Sequence, residues 1–238
     1  VVDESDERRG QLSVNAIFNN KVAVLGGDYL LATCLVEAGK TENSFIIDTI
    51  SSLGQDLSDG ELLQLTNIKT EYFSEDIYFD VIRKKTAALF SACTTVGALS
   101  VNATAEEIEW ARLFGENLGI AFQIKDDIFD YFDSDDIGKP TGNDMVEGKL
   151  TLPVIYVLNS KENKWARGVA LKVRDGEASI KEIKKLIEYT KENGGIDYAT
   201  KRMYEYQAKA FDLLNNLPDS DNKYALISFA EFVVDRIK

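Results

Sequence analysis

The chain has 238 residues, 45% of them hydrophobic, with three prolines and no histidine. That length and apolar content support one large domain or two small ones and exclude a disordered chain. A formal charge of −13 argues against an electrostatic nucleic-acid footprint, and the lack of histidine excludes His-based triads, proton relays and His-ligated zinc.

The chain opens VVDESDERRG, without Met, so it is expected to lack the front of a longer protein. No secretory signal pattern follows. Residues 14–38 carry apolar positions at i, i+3 and i+4, with Gly39 as a stop, and predict a helix. The apolar run inside it, Val22 to Val36, is too short to span a bilayer and contains Asp28, so no transmembrane segment is expected. Residues 44–79, 80–100 and 105–132 predict three further long helices, the first carrying Leu53, Leu57, Leu62 and Leu65. Thr104 with Glu107 three residues on makes a capping box at the start of the third.

Residues 133–148, with Gly138, Pro140 and Gly142, predict a loop. Pro153 fits the first turn of a helix over 152–159. Segments 162–173, 179–192, 195–216 and 222–237 are amphipathic and more charged, and NNLPDSDNK separates the last two. No solenoid repeat and no convincing strand is present. The expectation is an all-α, single-domain bundle of long helices over 1–238. Cys34 and Cys93 sit on apolar segments and are expected as buried reduced thiols, which points to the cytoplasm.

One stretch breaks the pattern. FQIKDDIFDYFDSDDIGKPTGND, residues 122–144, packs seven aspartates behind an apolar helical run. At ~100° per residue, Gln123, Asp126, Asp127 and Asp130 share one stripe about 100° wide. Carboxylates so placed beside Phe122, Ile124, Ile128 and Phe129 lose hydration and repel one another. They can face water, pair with Lys or Arg, or share divalent cations. Mg²⁺, which prefers carboxylate oxygens, waters and substrate phosphates, suits a stripe with an open side. Asp133, Asp135, Gly138 and Asp144 also fall at positions of an EF-hand frame, but Ile137, Pro140 and Asp in place of the closing Glu speak against calcium sensing.

If cations gather at the aspartates, their ligand is a polyanion, and basic residues should match it. Arg8-Arg9-Gly10, Lys84-Lys85-Thr86, Lys139 and Lys149 are the candidates, each also readable as a surface charge. FQIKDDIFD followed by GKPTGND and EGKLTLP closely resembles the second aspartate-rich region of the trans-isoprenyl diphosphate synthases. GQDL (54–57), RKKTAALF (83–90), GENLGIAFQIKDD (115–127) and residues 1–32 extend the resemblance over at least the first two-thirds of the chain. Within the family it looks most like the bacterial long-chain group, of octaprenyl or solanesyl type. Leu12, where the family often has proline, and Gly26, where alanine is common, are small departures.

The resemblance implies Mg²⁺-dependent head-to-tail condensation of isopentenyl diphosphate with an allylic prenyl diphosphate. Two facing DDxxD motifs would bind Mg²⁺: the second is Asp126, Asp127 and Asp130, and of the first only the last aspartate, Asp3, is present. The helices that carry the glycine-lysine isopentenyl segment in the family are absent, so the truncated chain is expected to be inactive or impaired. Arg8, Lys85 and Lys139 would hold the allylic diphosphate, Arg9 the isopentenyl diphosphate, and Lys149 would close over the site. Thr86 and Gln123 would stand near the reacting carbons, with Lys85 beside them. Gln55 and Asp56 would face the cavity or pair within the bundle, and Phe18, Phe90 and Phe122 would line a tunnel or pack in the core. A homodimer is expected, with no nucleic-acid partner. The alternatives are a non-catalytic subunit of a heteromeric synthase and a terpene cyclase. Intact aspartate and basic motifs argue against the former, and a second diphosphate site against the latter.

Overall fold

The computed structural model of the protein describes residues 6–8, 11–67, 73–132 and 141–236, with Arg8 and Asn67 described by their backbone alone. The chain divides into two compact units, Val1–Ser52 and Leu53–Lys238. The fold is all-α apart from one very small strand pair.

In the first unit, β1 (Glu7–Arg8) runs antiparallel to β2 (Gln11–Leu12), with Glu7 opposite Leu12 and Arg8 opposite Gln11. Strands of two residues are too short to carry a period-two signature, which is why the sequence predicts none. The helix expected over 14–38 is split into α1 (Val14–Ile17) and α2 (Asn20–Gly39). The break is made by Asn19, whose backbone is extended and whose side-chain oxygen accepts the Val22 N–H at 3.0 Å. An N-cap this good stabilises a new helix start by about 1 kcal/mol.

Among the described residues α2 is the helix long and apolar enough, by length and composition, to cross a membrane. Cys34 on α2 is exposed, and Phe18 is 66% exposed, so neither is the core residue expected. α2 is apolar all round, and hydropathy along such a helix cannot say which side is covered.

α3 (Ser44–Asn67) starts behind Asn43, which accepts the Phe45 N–H at 3.0 Å, and its later turns belong to the second unit. The helix expected over 44–79 is described as far as Asn67, and Phe73 and Ser74 are not helical. Helical structure resumes at α4 (Glu75–Ile82), capped by Ser74, whose hydroxyl oxygen accepts the Ile77 N–H at 3.3 Å. A single π-helical turn (Arg83–Ala87) then leads into α5 (Ala88–Ser100), where Cys93 is also exposed.

α6 (Ala105–Phe129) opens on the expected capping box: Thr104 Oγ1 accepts the Glu107 N–H and the Glu107 carboxylate accepts the Thr104 N–H at 2.7 Å. It buries Leu118, Ile120, Ala121 and Ile124 at 1% exposure or less, each large side chain contributing about 1.5–3 kcal/mol. The remaining helices are α7 (Asn143–Val146), α8 (Leu152–Ser160), α9 (Lys164–Arg174), α10 (Ile180–Glu192), α11 (Gly195–Leu214) and α12 (Asp221–Asp235). α8 to α12 match the sequence expectation to within two residues, with Pro153 in the first turn of α8, whereas α7 is a short helix inside the stretch expected as loop. α6 is the centre of the second unit: α5 and α11 pack along it, and α12 joins through Phe114, Leu118, Ala210, Leu214, Ala230 and Val233.

Candidate active site

The π turn Arg83–Ala87 has the sequence RKKTA, so the widened turn carries Lys84, Lys85 and Thr86. A π turn puts one extra residue into a helix and frequently marks a functional site. Glycines let two neighbours come close to it. A Cβ on Gly60 of α3 would lie 2.8 Å from Lys84 Cβ and Lys85 Cγ, and one on Gly119 of α6 would lie 2.6 Å from Ala87 Cα.

The turn therefore faces two ways. Toward α3, Lys84 pairs with Asp59, while Lys85 Nζ lies 2.5 Å from Glu61 and donates to Gln64 at 3.1 Å. Toward α6, the Thr86 hydroxyl donates to Gln123 Oε1 at 2.7 Å. Gln123 Nε2 donates to Asp127 Oδ1, one helical turn on, at 2.8 Å. The Tyr78 hydroxyl of α4 donates to Asp127 Oδ2 at 2.6 Å. Thr86, Gln123, Asp127 and Tyr78 thus form one continuous polar chain across three elements.

Asp127 is 4% exposed and Tyr78 7%. Burial pushes the Asp127 carboxyl well above the ordinary carboxylate range, and the nearby Asp144 and Asp126 carboxylates push the same way. The hydrogen bonds from Tyr78 and Gln123 oppose that shift without cancelling it. Burial and the Asp127 charge likewise raise the Tyr78 phenol, so it remains a donor.

The stripe predicted for the aspartates opens into a fan. Asp127 points inward to Tyr78. Asp126 is 40% exposed at its side chain and holds Arg236, whose Nη2 lies 2.5 Å from Oδ1. Asp130 ends α6, and its carboxylate accepts the backbone N–H groups of Asn143 at 3.0 Å and Asp144 at 3.1 Å. Its carbonyl accepts the N–H of Gly142 at 2.8 Å, a residue at φ 82° where a glycine is required.

Of the other predicted residues, Lys149 pairs with Glu147 at 2.6 Å, and Gln55 and Asp56 are exposed on α3. The Phe90 and Phe122 rings meet at a 45° tilt, 5.2 Å between centroids, against the α6–α11–α12 core. Arg8 lies in β1. Asp3, Arg9, Lys139 and the EF-hand positions 133, 135 and 138 lie outside the described residues.

Among the described residues no three Asp, Glu, His or Cys side chains converge as a ready-made metal cage. Mg²⁺, however, is usually held by one or two carboxylates together with substrate phosphates rather than by an all-protein cage. The donors present are hard oxygens only, from the Asp126, Asp127 and Asp130 carboxylates at one end of α6. These residues fit a hard divalent cation.

Sequence reasoning missed Tyr78 and Arg236. Tyr78 is 49 residues from Asp127, and no local signal ties it to the aspartates. Arg236 is 110 residues from Asp126 and has no local signal.

A family model described as polyprenyl synthetase matches residues 1–190. The chain is 35% identical over 239 residues to an all-trans-nonaprenyl-diphosphate synthase (geranyl-diphosphate specific) of Rhodobacter capsulatus, covering 100% of this chain and 73% of that one. It is 32% identical over 237 residues to octaprenyl diphosphate synthase of Escherichia coli strain K12, covering 99% and 73%. Among solved structures, a geranylgeranyl pyrophosphate synthase from Bacteroides thetaiotaomicron superposes with a TM-score of 0.89 at 60% identity, over 94% of this chain and 74% of that one. A decaprenyl diphosphate synthase from Rhodobacter capsulatus superposes with a TM-score of 0.90 at 36% identity, over 100% and 73%.

Proposed function

Because the chain belongs to the polyprenyl synthetase family, we propose that it condenses isopentenyl diphosphate with an allylic diphosphate. The product is a longer all-trans polyprenyl diphosphate, and residues 1–238 belong to one synthase domain. The observation that carries the site assignment is the polar chain from Thr86 through Gln123 to Asp127 and Tyr78, which joins the K-K-T motif to the D-D-I-F-D motif.

Asp126, Asp127 and Asp130 would hold Mg²⁺ against the substrate diphosphate, and bound there it neutralises the leaving group's charge. Tyr78 and Gln123 hold both Asp127 oxygens, so this carboxylate does not have to reorient during the reaction. Asp130 is held in the same way by the start of α7.

Lys85 and Lys149 supply point charges for phosphate oxygens, with Arg8, Arg9 and Lys139 as further diphosphate ligands. Each of the two described lysines is parked on a glutamate, Glu61 or Glu147, with side chains 26–34% exposed. Such half-exposed pairs are worth about 1 kcal/mol or less, so a polyanionic diphosphate competes them away. Thr86 Oγ1 and Gln123 Oε1 place partial negative charge where the allylic carbon gains positive charge. Gln123 keeps its amide oriented by donating to Asp127.

The test is a radiolabelled isopentenyl incorporation assay with an allylic diphosphate and Mg²⁺. Asp126→Ala should cut turnover by orders of magnitude while far-UV circular dichroism stays that of the wild type. Unchanged turnover in that variant would remove the cation assignment.

A further inference from the structure

Arg236 caps α12, and its guanidinium is tied down by groups other than Asp126. Its Nε donates to the Val233 carbonyl at 3.1 Å, and Nη2 donates to the Phe122 carbonyl at 3.2 Å. Its guanidinium carbon lies 4.0 Å from the Phe122 ring centroid and 5.6 Å from that of Phe129. The Arg236 side chain is 15% exposed, whereas that of Asp126, which it contacts, is 40% exposed. The arginine is the less exposed partner and is anchored by two backbone carbonyls and a ring face, which fixes where the Asp126 carboxylate can meet it.

We propose that Arg236 is a positioning residue for Asp126: a fixed guanidinium that holds the first carboxylate of the D-D-I-F-D motif for cation and diphosphate binding. This rests on the proposed function, in which Asp126 holds Mg²⁺ against a diphosphate. It adds α12 to a site otherwise built from α4, the π turn, α6 and α7.

The sign of the effect separates positioning from simple charge. A guanidinium beside a cation repels it, so on electrostatics alone its removal would tighten Mg²⁺ binding. Loss of positioning loosens it, and partners that orient metal ligands are typically worth about 10- to 100-fold in metal affinity. A planar fork also orients a carboxylate in a way that an ammonium cannot.

The experiment is calorimetric titration of Mg²⁺ into the full 238-residue chain with excess inorganic pyrophosphate, for wild type, Arg236→Met and Arg236→Lys. Far-UV circular dichroism and thermal unfolding in EDTA run alongside. Positioning predicts that Mg²⁺ binds about 10-fold or more weakly to Arg236→Met, with Arg236→Lys also weakened. Unchanged or tighter binding to folded Arg236→Met overturns the proposal, because a purely structural arginine would lower the melting temperature and spare the affinity. Should the methionine variant unfold, the lysine variant decides: weakened binding supports positioning, and wild-type binding overturns it. Failure of the wild-type chain to bind Mg²⁺ with pyrophosphate refutes the cation reading itself and this inference with it. Normal wild-type binding with insensitive variants refutes the inference alone.

Discussion

Replacing Gly119 by alanine sets two effects of known size against each other. In a helix interior alanine is favoured over glycine by about 1 kcal/mol, so propensity alone predicts a more stable protein. The added Cβ, however, would lie 2.6 Å from Ala87 Cα, 3.0 Å from Ala87 Cβ and 3.1 Å from Phe90 Cβ. The nearest of these is backbone and cannot rotate away, so α6 and the π turn must separate. Overpacking of this kind costs about 1–3 kcal/mol, so against the helix gain the net expectation is a loss of up to about 2 kcal/mol.

The separation falls one turn before Gln123 and one residue after Thr86, so it stretches their 2.7 Å hydrogen bond. Turnover should therefore fall about 10-fold or more, since displacements near 1 Å can cost about 100-fold. Gly168, in the middle of α9 with nothing within 4 Å of its Cβ position, is the control. Gly168→Ala should gain about 0.5–1 kcal/mol with activity unchanged. Urea denaturation of both variants, with isopentenyl incorporation at saturating substrate, is the assay. A Gly119→Ala protein as stable as Gly168→Ala would refute the close approach of α6 to the π turn.

Two further predictions use the same denaturation assay. Tyr78→Phe leaves the buried Asp127 Oδ2 without its donor and should cost about 1–3 kcal/mol; a loss within measurement error would show that the hydroxyl does not matter to the carboxylate. Glu182 is held down from its ordinary 4.5 to about 2, first by Lys172 and then by the Ser179 backbone N–H and hydroxyl. A depressed carboxylate stabilises the fold above its unfolded pKa and loses that stabilisation as pH falls through the folded one. Glu182→Gln should therefore be less stable than wild type at pH 7, with the gap closing between about pH 4.5 and about 2. A gap independent of pH would mean that the charge contributes nothing.

The similar proteins are named for geranylgeranyl, octaprenyl, nonaprenyl and decaprenyl products. In the proposed function the aspartates, lysines and Gln123 serve the diphosphate and the reacting carbons, which are common to all such products. On that reading chain length would depend on other positions, with the motif residues carrying the reaction rather than its stopping point.

Residues 105–129 are legible as a helix from the chain alone, because capping and 3.6-residue periodicity act within a few positions of each other. The same holds for the last four helices and for the pairing of aspartate and basic motifs, which points to a cation–diphosphate chemistry. The breaks at Asn19 and at Phe73–Ser74 are not legible, because apolar spacing continues across them. What only the tertiary structure decided is where each carboxylate goes. Helical geometry puts Asp126, Asp127 and Asp130 on one stripe, but side chains turn toward whatever compensates their charge: Arg236, Tyr78 and the amides of α7. Those partners lie 110, 49 and 13 residues away in sequence. The π turn is decided in the same way: its close seating between Gly60 and Gly119 depends on which helices lie alongside it. Local periodicity carries no information about contacts across such separations; packing does.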